Sequence, residues 1–142
     1  MKKVLNLTLS LLLVFVCLFG LASCGSTVDA SGLWEKADYL KDTEFGDGEK
    51  ELVVKVKVEE QEVTFTIHTD KATVGEALLE HKLISGEDGD YGMYIKKVNG
   101  ITADYDKDKS YWAFYADGKY ASSGVDTTKI DEKVTYSLEY TK

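Results

Sequence analysis

Two stretches near the middle of the chain alternate between apolar and polar residues. Every second residue is apolar in residues 51–60 and again in residues 62–70. The apolar positions are Leu52, Val54, Val56, Val58, Val63, Phe65 and Ile67. A period of two with many β-branched residues is typical of strands buried on one face, and the short gap between the stretches predicts a hairpin.

The next stretch, residues 71–84, changes to the period of a helix. Thr73 and Glu76 have the spacing of a capping box, and apolar residues of one helical face follow them. These apolar residues are Val74, Ala77 and Leu78. Gly75 lowers helix stability by about 1 kcal/mol relative to alanine, so the pattern predicts a short helix.

Strand patterns return after the helix. One strand ends at Asn99-Gly100, a second covers residues 111–116 and turns at Asp117-Gly118 into a third, and residues 133–141 alternate once more. Asp-Gly between apolar runs is a strong hairpin signal because both central residues of a type I′ turn need a positive φ. The order of elements predicts an α+β domain over residues 51–142, with a mixed sheet packed on one short helix.

Aromatic residues are concentrated in residues 110–124, which read SYWAFYADGKYASSG. Strand alternation places Trp112 and Phe114 on the face that packs against the helix, and the tyrosines on the opposite face. Exposed tyrosines combine a rigid apolar body with a polar tip, which suits recognition of sugars, peptides or flat ligands. The candidate ligand-binding residues are Tyr94, Tyr111, Tyr115 and Tyr120.

The order of these elements, together with the run YWAFYADGKY, resembles the transcobalamin-like C-terminal domain family. The resemblance covers residues 51–142 and implies a β-grasp-like sheet and a cobalamin-like ligand. One departure is the turn before the last strand, where Asp131-Glu132-Lys133 stands in place of the Gly-Asp that is frequent in the family. In the vitamin carriers a separate helical domain supplies the other half of the site, so the resemblance implies the fold more directly than the ligand.

Residues 1–23 have the features of a lipoprotein signal peptide. Lys2 and Lys3 precede a short apolar run, and Leu21-Ala22-Ser23-Cys24 resembles the lipobox of bacterial lipoproteins. Cys17 lies within the signal peptide, so Cys24 is the only cysteine left after cleavage and is the predicted lipidation site. We therefore expect an exported protein anchored to the outer face of the cytoplasmic membrane, in a bacterium of the Gram-positive type.

Residues 24–50 show neither a strand period nor a helix period and are rich in Gly, Ser and Asp. This composition predicts a lipidated cysteine followed by a flexible tether that separates the domain from the membrane. Trp34, Tyr39 and Phe45 are unusual in a linker. They either dock loosely on the domain or form an interaction motif.

The charge of the chain narrows the class of partner. Removal of residues 1–23 takes away two lysines and no acidic residue, which changes the formal net charge from −8 to −10, and the chain contains no arginine. Such a chain is a poor binder of nucleic acid or anionic lipid surfaces. Cations, neutral ligands and basic partners suit it better.

The residues needed for catalysis are not found in a recognisable pattern. Of the two histidines, His68 falls on the polar face of a strand, and His81 falls on or near the apolar face of the helix, where a packing role is favoured over catalysis. The chain has no Gly-x-Ser-x-Gly elbow, Cys-x-x-Cys pair or phosphate-binding glycine loop. An activated nucleophile needs a base within reach. We therefore expect a protein that is not an enzyme.

Two acidic loops are candidate calcium sites. Their carboxylates are Glu87, Asp88, Asp90, Asp104, Asp106 and Asp108. Alternating carboxylates in a loop can point to one centre, and oxygen ligands suit Ca²⁺. The EF-hand is excluded because Lys109 and Tyr115 occupy the positions that need Gly and Glu. Solvated loops with lysine neighbours are the alternative.

Three functions remain open from the sequence. The leading one is a lipid-anchored surface module that binds a small ligand, such as a cobalamin-like molecule, or a protein partner. The second is a Ca²⁺-binding structural or adhesion module. The third is an accessory subunit of a membrane transporter or surface complex.

Overall fold

The computed structural model describes residues 27–142, which contain nine strands, two α-helices and one 3-10 helix. The strands are β1 (Thr43–Gly46), β2 (Lys50–Val58), β3 (Gln61–Thr69), β4 (Ile84–Gly89), β5 (Gly92–Val98), β6 (Ile101–Thr102), β7 (Tyr111–Ala116), β8 (Lys119–Tyr120) and β9 (Thr135–Thr141). The helices are the 3-10 helix (Gly32–Lys36), α1 (Val74–Glu80) and α2 (Tyr105–Asp108). The predicted signal peptide and the predicted lipidation site, Cys24, lie outside the described residues.

The larger sheet of the described chain has the strand order β1-β3-β2-β9-β7-β8. β2 and β3 form the predicted antiparallel hairpin, with Lys50 opposite Thr69 and Val58 opposite Gln61. β9 runs parallel to β2 and antiparallel to β7, so the predicted mixed sheet is confirmed.

One face of the larger sheet carries the core. Its residues include Leu52, Val54, Val56, Val58, Val63, Phe65, Ile67, Trp112, Phe114, Tyr136 and Leu138. Each of these side chains is less than 9% exposed, as strand alternation predicts. The sheet therefore has one apolar face and one more polar face.

Helix α1 packs into the same core and is capped as predicted. The Glu76 amide donates to the Thr73 hydroxyl at 3.2 Å, and the Glu76 carboxylate accepts from the Thr73 amide at 3.0 Å. Its buried side chains are those of Val74, Ala77 and Leu78. Helix α2 was not predicted: its four residues follow Asp104, whose carboxylate accepts the amides of Asp106 and Lys107.

A smaller sheet of the described chain has the strand order β4-β5-β6. The sequence predicts β5, but not β4, because residues 84–89 read ISGEDG and contain one large apolar residue. Pairing with β5 holds β4 in place although five of its six residues are exposed. Tertiary pairing therefore outweighs a weak local preference for a strand.

The two predicted tight turns are confirmed. Asn99 and Gly100 have φ values of 49° and 79°, and Asp117 and Gly118 have φ values of 49° and 76°. Positive φ at both central residues is the property that type I′ hairpin turns require. The second turn brings β8 against β7, with Tyr120 opposite Tyr115.

Residues 27–50 differ from the predicted flexible tether. Strand β1 lies parallel to β3, and the Val28 amide donates to the Leu40 carbonyl at 2.8 Å. Trp34 is 2% exposed, and its indole N–H donates to the Val58 carbonyl at 3.3 Å. The sequence hides this packing because the apolar residues of the segment have no regular period and are buried by distant strands.

The aromatic residues of this segment dock on the domain, which is one of the two predicted alternatives. The rings of Tyr39 and Phe45 lie 5.7 and 5.8 Å from the ring of Phe65. The buried Asn99 side chain accepts a hydrogen bond from the Tyr39 amide and donates one to the Tyr39 carbonyl, both at 2.9 Å.

No helix within residues 27–142 combines the length and the apolar character needed to cross a membrane.

Candidate functional site

An open cleft of about 320 Å³ lies between the β4–β5 hairpin, strand β7 and the loop that follows β8. Six aromatic side chains line it, and we name it the aromatic groove. They are Tyr91, Tyr94, Tyr111, Trp112, Phe114 and Tyr120. Residues 121–125 and two aliphatic side chains complete the wall, and no charged side chain lines the groove.

The floor of the groove is held by core contacts. The Trp112 indole N–H donates to the Ile101 carbonyl at 3.3 Å, and its ring packs edge-on against Tyr140 with centroids 5.6 Å apart. The Phe114 ring stacks on Tyr136 at 5.8 Å. Trp112 and Phe114 are 7% and 8% exposed, so only a small part of each side chain is open to the groove.

The rim of the groove is exposed tyrosine. Tyr91, Tyr94 and Tyr120 are 99%, 42% and 68% exposed. A large exposed apolar surface next to a rigid floor is typical of a ligand-binding site. The groove can therefore hold the flat face of a ligand, with the tyrosine hydroxyls as polar contacts at the rim.

The structure brings together three of the four predicted ligand-binding tyrosines. Tyr94, Tyr111 and Tyr120 line the aromatic groove, whereas Tyr115 does not. Tyr115 contacts the Tyr120 ring at 5.5 Å. Burial, together with the neighbouring Glu139 carboxylate, raises the pKa of the Tyr115 hydroxyl.

Strand alternation alone does not predict the groove. It assigns Trp112 and Phe114 to the core, yet both residues also line the groove. The loop at residues 121–125 was not predicted as part of a site because ASSGV has no period. The aromatic density of residues 110–124 was the one sequence signal for the site.

The carboxylates of the second acidic loop bond to their own backbone. Asp104 caps α2, and Asp108 accepts the amide and hydroxyl of Ser110 at 3.1 and 2.5 Å. The Ser110 hydroxyl and amide, followed by the Lys142 ammonium at 3.5 Å, lower the pKa of Asp108. Asp106 is exposed. The three aspartates do not converge on one centre.

The carboxylates of the first acidic loop lie on the β4–β5 hairpin. Glu87 pairs with Lys96 at 3.1 Å, and this hydrogen bond raises the pKa of Lys96. Asp88 and Asp90 are exposed. Across residues 27–142, no group of three or more His, Cys, Asp or Glu side chains is arranged to hold a metal ion.

A second cleft, of about 300 Å³, lies beside the end of β3 and the end of α1. His81 lines it, with its ring 5.2 Å from the Phe45 ring, which agrees with the predicted packing role. Its Nε2 atom is buried without a hydrogen-bond partner among the described residues, and the Glu80 carboxylate is 3.9 Å away. His68, on the other wall, contacts the Glu44 carboxylate at 2.7 Å.

These features define a small α+β domain with a mixed sheet, a second small sheet and an open aromatic groove. Residues 71–142 match the family described as a domain of unknown function, DUF4430. That match spans half of the chain, and the chain belongs to this family. No curated protein matches the chain.

Two solved structures share the fold. A protein described as a "putative metal binding protein" from Ruminococcus gnavus is 29% identical, with a TM-score of 0.62, over 66% of this chain and 98% of that one. Haptocorrin in complex with Cbi is 18% identical, with a TM-score of 0.50, over 66% of this chain and 25% of haptocorrin. Neither is described as an enzyme. The second likeness supports the fold alone.

Proposed function

We propose that the chain is a non-enzymatic binding domain that holds a flat, cobalamin-like small molecule in the aromatic groove. The observation that carries this proposal is the convergence of six aromatic side chains on one open groove without a charged lining residue. Aromatic faces bind flat apolar ligands well because the rings lose little conformational entropy and bury a large area. The likeness to haptocorrin in complex with Cbi supports the fold, and the resemblance of residues 51–142 to the transcobalamin-like C-terminal domain family motivates the ligand class.

The proposal includes the β-grasp-like, transcobalamin-like description of the domain. The mixed sheet, the capped helix α1 and the hairpin β7–β8 support it. The likeness covers a quarter of haptocorrin, and the aromatic groove of this chain is open to solvent. If the chain is an accessory subunit, a partner subunit covers the exposed face of the ligand.

The proposal also includes the location of the domain. A lipid on Cys24 holds it at the outer face of the cytoplasmic membrane, and the lipobox-like residues 21–24 support this. An anchored binding domain keeps its ligand at the cell surface. This role needs no catalytic group.

Calorimetry tests the ligand proposal. Cyanocobalamin is titrated into the full chain, which is purified in detergent. We expect saturable binding, with Tyr94→Ala and Tyr120→Ala each weakening it about five- to tenfold, since an aromatic contact contributes roughly 1 kcal/mol. Tyr105→Ala is the matched control, because Tyr105 is exposed but does not line the groove. Equal losses in all three variants, or no binding by the wild type, would refute a cobalamin-like ligand in this groove.

Metal binding is the second candidate function, favoured by the description of the Ruminococcus gnavus protein and by the unpartnered His81 Nε2 beside Glu80. A cation that binds only the folded chain raises its melting temperature by mass action. Melting curves with millimolar Ca²⁺ test the two acidic loops, using Asp104→Asn with Asp106→Asn as the variant. Melting curves with Zn²⁺ test the second cleft, using His81→Ala. A rise that its variant does not abolish rejects that site.

A further inference from the structure

We propose that Tyr91 closes the aromatic groove: its ring projects into water in the free protein and folds over the exposed face of the ligand on binding. This inference rests on the proposed function and adds a closing residue to the same site. Tyr91 lies at the tip of the β4–β5 hairpin, in the two-residue turn between Gly89 and Gly92. It is one of the six aromatic residues that line the groove.

The Tyr91 ring is free to move in the unbound chain. Tyr91 is 99% exposed, so its ring rests on no other part of the described residues. The other rim tyrosines are less exposed, and the Tyr120 ring packs against the Tyr115 ring with centroids 5.5 Å apart. An aromatic ring that stands in water beside an apolar groove gains burial when a ligand fills that groove. Tyr91 is therefore the rim residue that gains most.

The inner half of the β4–β5 hairpin is fixed in the fold. Ile84, Ile95 and Val98 are each less than 9% exposed. The Asn99 amide donates to the Leu83 carbonyl at 2.8 Å across the base of the hairpin. The base therefore stays in place when the tip moves.

The outer half of the hairpin is held more loosely. Residues 85–89 of β4 are all exposed, and β4 forms one edge of the smaller sheet. The pairing of β4 with β5 shifts register between Ser85 and Gly86, and such an irregularity bends a strand and disrupts its ladder. Few buried contacts and a disrupted ladder are typical of segments that open and close over a site. The register shift is therefore a bend point between the base and the tip.

The hairpin approaches the opposite wall of the groove beside Tyr91. The φ of Gly92 is 110°, a conformation that favours glycine. A Cβ added there would lie 2.8 Å from the carboxylate of Asp126, which directly follows residues 121–125 of that wall. The groove is therefore narrow at the hairpin tip, and one ring can cover it there.

A ring that folds over a bound ligand slows dissociation more than association. Stopped-flow mixing of cyanocobalamin with the full chain in detergent measures both rates. We expect Tyr91→Ala to raise the dissociation rate constant about tenfold and to leave the association rate constant within about twofold of the wild type. Tyr91→Phe should keep the wild-type rates, because the face of the ring covers the ligand. Tyr105→Ala, at an exposed ring outside the groove, is the matched control.

Amide hydrogen exchange measures the closure itself. Saturating cyanocobalamin should slow exchange in residues 86–93 of the wild type about tenfold, because the outer half of the hairpin becomes fixed on the ligand. Tyr91→Ala, also at saturation, should lose this slowing. Residues 121–125, on the opposite wall, should show the same slowing in both proteins.

The outcomes separate this inference from the proposed function. If the wild type binds cyanocobalamin but Tyr91→Ala keeps its dissociation rate, or if exchange in residues 86–93 does not slow, the groove stands and closure by Tyr91 is rejected. If the wild type does not bind, both fail.

Thermal melting of the free protein checks that the Tyr91 ring is free. Since Tyr91 is 99% exposed, Tyr91→Ala should melt at the wild-type temperature without ligand. A faster dissociation in this variant then comes from the ligand contact and not from a weaker fold. A melting temperature several degrees lower would show that the ring already packs in the free protein, and would reject the closing movement.

Discussion

At the scale of single residues, Trp112 belongs both to the core and to the aromatic groove, a double role that strand alternation does not predict. Its indole packs in the core against Tyr140 and donates a hydrogen bond to the Ile101 carbonyl, and the residue also lines the aromatic groove. The hydrogen bond sets the angle of the ring. A ligand in the groove therefore meets a surface that is already formed.

We expect Trp112→Ala to lower the free energy of unfolding by about 3–5 kcal/mol, since it empties a nearly buried site. Tyr115→Ala should cost about 1 kcal/mol or less, because this half-exposed ring loses mainly its contact with Tyr120. Paired urea melts of the two variants measure both changes. A larger loss in Tyr115→Ala than in Trp112→Ala would reverse the assignment of core and outer face.

At the scale of elements, the capping of helix α1 shifts the pKa of one carboxylate, which can be measured. Amide donors of Thr73 and Ala72 hold the pKa of the Glu76 carboxylate below its ordinary value of 4.5. The folded chain therefore binds this proton more weakly than the unfolded chain. The carboxylate adds stability above pH 4.5, and this stability is lost as the pH falls through the lowered folded-state pKa.

Glu76→Gln keeps the shape and the hydrogen-bonding oxygen of the side chain but removes its charge. We expect the variant to melt below the wild type at pH 7, and the difference to shrink once the pH drops below 4.5. Glu60→Gln, at an exposed turn, is the matched control and should follow the wild type throughout. A difference that stays constant from pH 7 to pH 3 would contradict the capping role of the charge.

The elements that the sequence predicts are those whose signal lies within about ten neighbouring residues. The alternation of Val54 and Val56, the capping pair of α1 and the Asp117-Gly118 turn are all local, and all are confirmed. Strand β1 depends on β3, which lies beyond β2 in the chain, and β4 contains only one large apolar residue, so neither has a local signal. The aromatic groove has no local signal either, because it joins a hairpin, a strand and a loop.

Whether the N-terminal segment is a flexible tether or a packed element can be tested at Trp34. Trp34→Ala should lower the free energy of unfolding by about 3–5 kcal/mol, because the ring is 2% exposed and its N–H bonds to Val58. Leu33→Ala, on the neighbouring and partly buried position, is the matched control and should cost clearly less. Denaturant melts measure both. If Trp34→Ala leaves the free energy of unfolding unchanged, the segment behaves as the predicted flexible tether.

At the scale of the whole molecule, the packed N-terminal segment changes how an anchored domain would sit. The fold begins by Thr27, which pairs with Lys41, so only Gly25 and Ser26 separate it from Cys24. Three residue steps span about 10 Å at most. A lipid on Cys24 would therefore hold the domain directly on the membrane surface, without a long spacer.

An anchor at Cys24 would orient the domain on the membrane. The Asp29 amide donates to the Gln61 side chain at 2.8 Å, so the start of β3 lies beside the N-terminal end of the described chain. β3 runs from Gln61 to Thr69, about 26 Å at strand spacing, and Lys71 follows its far end. One end of the β2–β3 hairpin should face the lipid, and the other should point away from it.

Fluorophores attached at Asp29→Cys and at Lys71→Cys, in the processed protein in vesicles with a lipid-borne quencher, measure this orientation. We expect strong quenching at position 29 and weak quenching at position 71, because quenching by lipid-borne groups falls steeply with distance. Cys24→Ser should abolish the quenching at both positions. It should also move the protein out of the detergent phase in a partitioning assay, since we propose that the lipid attaches the protein to the membrane. Equal quenching at the two positions would indicate a domain that tumbles on a long tether. Membrane binding that persists in a fully processed Cys24→Ser protein would reject the anchor itself.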